Sequence, residues 1–395
     1  MTDYLIVGNG VAGTTAAENI LNRDREAKIT ILTEEDTPFY NRMKLNDLVS
    51  KELTEEKLIM KKDSWYRDNN IDIRLNTRIV TADPNKRSVT AESGSTFSYD
   101  RLLLATGSHS FIPPIKGSDQ KGVVALRNIN DARKISELAE KVENVVLIGG
   151  GLLGLESGKA LRNLGKSVTV VEFFPRLLPR QLDLKGAKVL EGIMGDMGFS
   201  FRLGAKTEEI AGETGVKEVL LEGGEALAAE MVVISAGVRP NMELAGPLGL
   251  EKDKGVKVDD FLMTSVDDIF AAGDVAEYRG MPYGIWPASM EQGRIAGVNM
   301  AGGNESYSGT TMANTLKVVG VDLASAGDID AEEKLDSEVF SEGNIYKKLV
   351  FDKGRITGCI MLGDTKDFSR ITKAMNDNRD VSRIRHEILK NGLKG

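Results

Sequence analysis

At 395 residues and 41% apolar, the chain is long enough for two or three domains, and its net charge of −8 argues against general nucleic-acid binding. No apolar run reaches the roughly 18 residues of a membrane span. The single cysteine, Cys359, rules out an internal disulfide, and with two histidines there is no metal-ligand cluster and no Ser-His-Asp set, which fits a reducing cytoplasm.

The first element is "YLIVG", a short β-branched run of the kind expected for a buried parallel strand. No basic stretch precedes it and glycines cut it short, so it reads as a core strand and not as a signal peptide. Gly8, Gly10 and Gly13 then spell G-x-G-x-x-G before a helix. The first glycine permits a tight turn, the second lets backbone approach a pyrophosphate, and the third lets helix and strand pack closely. Free N–H groups and the positive dipole end of the helix suit the phosphates. The next strand, "AKITILTEE", ends in Glu34 and Glu35, where an acid can accept a ribose hydroxyl.

A second copy follows. "NVVLIGGGLLGLE" carries Gly149, Gly151 and Gly154, with Leu152 and Leu153 at the start of the helix. Its partner strand "KSVTVVE" ends in Glu172, which suits the free 2′-hydroxyl of NADH and repels the extra phosphate of NADPH. Arg176, four residues on, complicates that preference. "RLLLATG" (Arg101 to Gly107) is echoed by "MVVISAGVRPN" (Met231 to Asn241), so each unit closes on a strand and a small-residue turn. Two loops imply two dinucleotides. A flavin dinucleotide on the first and a nicotinamide dinucleotide on the second make a hydride-transfer pair.

With these blocks and "TSVDDIFAAGDVAE" (Thr264 to Glu277), the chain resembles the FAD-dependent pyridine nucleotide–disulfide oxidoreductases over roughly residues 1–305. The resemblance implies an α/β fold of two Rossmann-like domains, FAD- and NAD-binding, plus a small α+β C-terminal domain. It places the FAD domain at 1–110 and 238–305, the NAD(H) domain at 111–237 and the C-terminal domain at 310–395. It puts Gly273 and Asp274 against the flavin ribityl chain, and Val80, Ala105, Thr106 and Gly107 against the flavin nucleotide. Gly237 falls to the nicotinamide ribose. Glu156 either positions the nicotinamide or is a favourable first-turn acid. Glu291 and Gln292 lie beside the flavin ring or simply start a helix.

The segment "FYNRMKLND" (Phe39 to Asp47) holds no cysteine where disulfide reductases carry C-x4-C. No thiolate can relay electrons there. It is similar instead to the Y-N-R-P-K-L segment of NADH–rubredoxin oxidoreductases and of the flavin module of nitrite reductase large subunits, with Met43 in place of proline. "FFPRLLPRQLD", "WPASMEQGRIAG" and "TLKVVGVDLASAGD" carry the same likeness. The chain lacks the cysteine sets of the iron–sulfur and siroheme parts. The resemblance makes Lys44 a cation near the flavin (a solvated lysine is the plainer reading) and gives Arg42 to the FAD pyrophosphate or ring edge (a surface ion pair is the plainer one).

The implied function is an NADH oxidoreductase, with NADPH the lesser donor, passing electrons through FAD directly to a carrier protein such as rubredoxin. An NADH oxidase acting on oxygen or a quinone, and a non-catalytic NADH-responsive sensor, are the alternatives. Near the end, "YKKLVFDKGRITGCIMLGD" reads as two strands turning at "DKG", with Cys359 a small core residue. From Arg370 to Gly395 seven Lys and Arg face three Asp and Glu, either a solvated helix face or a dock for a small acidic carrier. Monomer and dimer both stay open.

Overall fold

A computed structural model of the chain describes residues 1–310 and 314–393, with the side chains of 314–317, 390 and 391 outside the description. Lys394, counted in the basic tail, therefore lies outside the described residues, as does the side chain of Lys390. The chain divides into two compact units. The first is Met1–Lys44, Leu53–His109 and Val238–Thr311, and the second is Leu45–Glu52, Ser110–Gly237 and Met312–Gly395.

The first unit is built on a five-stranded parallel sheet in the order Ile269–Ala271, Arg101–Leu104, Asp3–Val7, Lys28–Leu32, Ile71–Arg74. Strands covered on both faces must be apolar along their length, which is why "YLIV" and "RLLL" show no alternation. Strand order reverses at Asp3–Val7, and the carboxyl end of a strand at such a point is where an α/β sheet binds ligands. The helix Val11–Arg23 leaves that end and packs on the helix Trp286–Met300. The approach is close because both helices present small residues: a Cβ at Gly293 or Gly297 would run into the backbone of Ala12 or Ala16. The crossing brings the start of the Trp286 helix to the first glycine loop.

The second unit repeats the plan with the order Phe199–Leu203, Ser167–Glu172, Asn144–Ile148, Met231–Ile234, Val123–Val124, again all parallel. The echo seen in sequence is an echo in register. Val7 lies opposite Leu104 in one sheet, and Ile148 opposite Ile234 in the other.

The same unit contains the C-terminal stretch, an antiparallel sheet in the order Asn314–Val318, Val321–Gly327, Arg355–Leu362, Ile345–Asp352, Asp336–Glu342. The helix Phe368–Asn376 packs beneath it around Cys359, Leu349 and Ile371. Cys359 is fully buried, and burial pushes its thiol up to about 12.

Within this unit one charged cluster is almost completely buried. Asp183 N-caps the helix Leu184–Asp196, its Oδ1 accepting from the Gly186 N–H at 2.9 Å. Its Oδ2 accepts from the Tyr346 hydroxyl at 2.6 Å and lies 3.3 Å from Lys348 Nζ. Lys348, 1% exposed, also bonds the Asp330 carbonyl at 2.8 Å and its carboxylate at 3.2 Å. Burial works against the Asp330 carboxylate, but the Lys334 and Leu335 N–H groups and the Lys348 ammonium hold it below its ordinary value. The Tyr346 hydroxyl is pushed up by burial and by Asp183. Removing one partner would leave a buried charge uncompensated, which makes the cluster a specific fastener.

Candidate functional site

In the first loop Gly8 has φ +115°, and a Cβ there would collide with the Ala105 carbonyl. A Cβ at Gly13 would collide with the Gly8 carbonyl. The protein's own packing thus demands the first and third glycines. Gly10 is different: a Cβ there meets no protein atom within 4 Å. Gly10 is also the N-cap of Val11–Arg23, with no side-chain cap and no acid in the first turn. An uncapped helix end beside open space fits an anion such as a pyrophosphate.

Asn9, between the glycines, is buried and donates from Nδ2 to the Tyr66 hydroxyl at 3.0 Å. That hydroxyl also accepts the Phe39 N–H at 3.1 Å, and burial raises its pKa. One buried tyrosine therefore ties the loop to the start of "FYNRMKLND".

The two candidate ribose acids separate. Glu34 is exposed, 3.7 Å from Arg78. Glu35 is turned inward, accepting from the Tyr40 hydroxyl at 2.6 Å and pairing with Arg42. Arg42 also lies over the Tyr40 ring at 5.0 Å. Burial alone would lower the Arg42 guanidinium, but Tyr40, Glu35 and the nearby Asp274 hold it above its ordinary value. It is thus more than a surface ion pair. Lys44 closes the 3-10 turn Arg42–Lys44 and is exposed. Val80, 44% exposed, sits at a register shift in the strand Ile79–Asp83.

Around the closing turn, Asp274 Oδ2 accepts from Ser108 Oγ at 2.8 Å and Oδ1 from Ser289 Oγ at 3.3 Å. The Gly273 N–H donates to Gln292 Oε1 at 2.8 Å. Thr106 and Gly107 are clasped by Asn241: its Nδ2 donates to the Thr106 carbonyl at 2.8 Å and its N–H to the Gly107 carbonyl at 2.9 Å. Asn241 was in plain view at the end of "SAGVRPN", but nothing local assigned it to the first turn. Glu291 is paired within its own helix. Its two oxygens grip Arg294 at 2.9 and 3.1 Å, and that hydrogen bonding lowers the carboxylate. Glu291 and Gln292 also lie more than a turn into Trp286–Met300, so neither starts the helix.

The second loop copies the first. Gly149 has φ +113° and is pressed against the Ser235 carbonyl; a Cβ at Gly154 would sit 2.6 Å from the Gly149 carbonyl. Gly151 is the N-cap of Leu152–Asn163, with no side-chain cap, and a Cβ there meets nothing within 4 Å. Leu152 and Leu153 form the first turn, Leu153 being exposed. Gly237 is open on its Cβ side at φ +97°, its carbonyl accepting the Phe111 N–H. This loop, too, fits a pyrophosphate.

Glu172 is buried, its Oε2 accepting the Gly150 N–H at 2.5 Å and its Oε1 the Phe174 N–H at 2.8 Å. The hydrogen bonds of Arg176 run elsewhere. Its guanidinium caps the Leu182 and Pro179 carbonyls, each at 3.1 Å. Glu156 is not a first-turn acid, because the helix begins four residues earlier. Its Oε1 accepts the Val319 N–H at 2.6 Å, in a tight turn where Val319 takes φ +47°.

The basic tail is also less free than its sequence suggests. Arg385 grips Asp336 at 2.7 and 2.8 Å and Glu338 at 3.2 Å, and lies over the Phe351 ring. These partners, Asp336 first, hold it above its ordinary value. Among the described residues no helix is long and apolar enough to cross a membrane. A depression of about 650 Å³ in the first unit is lined by Asp253, Lys257, Asp260 and Arg279 and includes no glycine-loop residue.

Residues 2–301 match the pyridine nucleotide-disulphide oxidoreductase family, and residues 313–379 match the rubredoxin NAD+ reductase C-terminal domain. The chain is 36% identical to a nitrite reductase [NAD(P)H] of Bacillus subtilis (strain 168), over 96% of this chain and 48% of that protein. It thus spans about half the length of the first curated relatives it matches. It is 29% identical to an NADH-rubredoxin oxidoreductase of Clostridium acetobutylicum, over 97% of each. The crystal structure of the NADH:rubredoxin oxidoreductase from that organism superposes with a TM-score of 0.88 at 28% identity, over 99% of both chains.

Proposed function

The chain belongs to the pyridine nucleotide-disulphide oxidoreductase family, and on that premise we propose that it is an FAD-dependent NADH oxidoreductase that delivers electrons to a small carrier protein of the rubredoxin type. One observation carries the reading: two uncapped helix ends, each beside an open middle glycine, in a chain whose one thiol is sealed in a core. Bound NADH and FAD would supply the redox chemistry, a hydride donor and a group that accepts two electrons and gives them up singly.

The chain's own residues divide the work. Gly8, Gly10 and Gly13 cradle the FAD pyrophosphate, with Arg42 nearby to balance charge. The exposed Glu34 accepts the ribose hydroxyl, while Glu35 spends its oxygens on Tyr40 and Arg42. Asp274, oriented by two serines, accepts from the ribityl chain. Thr106 and Gly107 present backbone to the ring. Lys44 supplies a positive charge near it. In the second unit Gly149, Gly151 and Gly154 cradle the NADH pyrophosphate, Glu172 accepts the ribose 2′-hydroxyl and Gly237 lies along the nicotinamide ribose. Glu156, anchored to Val319, borders the nicotinamide half. The FAD domain is 1–110 with 238–305, the NADH domain 111–237, and the remainder from 310 a third domain.

A fully buried thiol held up at about 12 has no thiolate to offer at neutral pH, which supports delivery without a cysteine relay. The experiment is an anaerobic NADH titration of the purified protein, followed in the visible flavin band, and then reoxidation by rubredoxin. Bleaching by one equivalent and saturable reoxidation by the carrier are expected. Bleaching by NADPH alone would overturn the role of Glu172. Reoxidation by oxygen as fast as by rubredoxin would hand the chain to the oxidases.

A further inference from the structure

The chain passes from the first unit to the second at the peptide that joins Lys44 to Leu45, and it does so without slack. The 3-10 turn Arg42–Lys44 runs straight into the helix Leu45–Val49. Five residues are too few for a helix to hold itself in water, so its neighbours place it. Leu45 and Val49, four residues apart, are buried, and the helix packs on Ile129–Ala139 and Leu152–Asn163. Apolar contact sets which face turns inward but gives no direction along that face. The direction comes from a hydrogen bond: Ser157, 3% exposed, donates from Oγ to Asn46 Oδ1 at 3.0 Å. The same hydroxyl lies 2.9 Å from the Leu153 carbonyl, so its single hydrogen is shared with its own helix. A few residues on, Asn163 Nδ2 donates to Glu52 Oε1 at 2.8 Å and ties down the far end of the segment.

We propose that Asn46 and Ser157 are positioning residues for Lys44. The inference rests on the reading of Lys44 as the cation beside the flavin. On one side the Lys44 backbone is held by its own N–H, which donates to the Asn41 carbonyl at 3.1 Å. On the other side it is held by Asn46, two residues on. Without the Ser157 bond the short helix can slide along its apolar face and carry Lys44 with it. The influence of a charge falls with distance and with the water that enters between. Ser157 belongs to the helix that starts at the second glycine loop, three residues past Gly154. The helix whose start cradles the nucleotide thereby also sets the backbone of Lys44.

The test reads the midpoint potential of the flavin in the flavin-loaded full chain, by anaerobic equilibration with a reference dye. A positive charge beside the flavin favours its reduction, so Lys44→Met should move the potential to a more negative value. Asn46→Ala and Ser157→Ala should move it the same way by a smaller amount, and the two together no further than either alone. Ser157→Thr keeps the hydroxyl and should restore the parental potential. In a Lys44→Met background Asn46→Ala should add nothing, because its effect passes through the lysine. Flavin reduction at saturating NADH should slow about fivefold in each alanine variant, the scale of one lost hydrogen bond, while the affinity for NAD+ holds. Parental potentials in both alanine variants, with Lys44→Met shifted, would overturn the positioning role and leave the reading of Lys44 standing. A parental potential in Lys44→Met itself would remove the flavin cation and the positioning role with it. A shift that adds to that of Lys44→Met would also overturn the proposal, since the pair would then act by another route. So would loss of flavin in the alanine variants that Ser157→Thr does not repair, which would make the bond a matter of folding alone.

Discussion

The two glycine loops share a backbone and differ at three positions, of which the one between the first two glycines matters most. Gly8 and Gly149 have φ +115° and +113°, and each backs onto the carbonyl of a neighbouring strand's closing turn. The residue between the first two glycines is Asn9 in one and Gly150 in the other. Asn9 fills its space and bonds Tyr66. Gly150 leaves its space empty, and Glu172 occupies it: a Cβ at Gly150 would lie 3.1 Å from Glu172 Oε2. The acid of the second loop therefore folds back onto backbone N–H groups, whereas the acids of the first face solvent or Arg42. A shared motif fixes where phosphates can sit. The residue inside it decides what the neighbouring carboxylate can do.

The largest effects come from breaking what the loops share. Gly8→Ala should cost about 3 kcal/mol or more of stability and leave the protein without flavin, because it places a Cβ on a carbonyl at a φ that alanine resists. Gly149→Ala should cost a similar amount, yet keep the flavin colour and lose its bleaching by NADH. Flavin content and thermal melting of the two variants decide the matter.

Gly10→Ala and Gly151→Ala probe the open position. Neither meets a protein atom, so melting should stay within about 0.5 kcal/mol of the parent. FAD retention in the first variant and NADH affinity in the second should each fall at least about tenfold by dissociation constant, since the lost space is the ligand's.

The difference between the loops is tested by Gly150→Asn. Its side chain must displace Glu172, so kcat/KM for NADH should drop about tenfold and the preference over NADPH should narrow. Steady-state rates with both nucleotides would show it, and an unchanged ratio would remove Glu172 from the discrimination.

The smallest expected effect is that of Tyr66→Phe. Loss of the hydroxyl leaves Asn9 and the Phe39 N–H short of a buried partner, at about 1–2 kcal/mol. A modestly faster release of FAD, measured by dialysis, should accompany the lower melting point.

Both Rossmann sheets were legible in the sequence because parallel strands buried on two faces leave unbroken apolar runs, as in Tyr4 to Val7 and Val145 to Ile148. The glycine loops and the position of Glu172 followed from spacing, and Asp274 from the family resemblance. What stayed hidden depends on long-range approach. Gly293 and Gly297 look like ordinary helix residues until Ala12 and Ala16 are set against them. Arg385 looks like a solvated tail charge, although Asp336 and Glu338, nearly fifty residues earlier, have claimed it. Lys347 and Lys348 sit in a readable strand, but nothing in "YKKL" says that the second lysine is 1% exposed. Charges in sequence are assumed wet, and only the partner's arrival in space overturns the assumption.

The Lys348 cluster also sets a rule for anyone who would transplant pieces of this chain. The sequence matches leave a seam between residues 301 and 313, an obvious place to exchange one part for a relative's. Asp183 lies on one side of that seam, and Asp330, Tyr346 and Lys348 lie on the other. A graft that crosses it without moving all four together would strand an ammonium or a carboxylate in a dry interior. The transplantable piece is defined by shared charge and not by contiguous sequence.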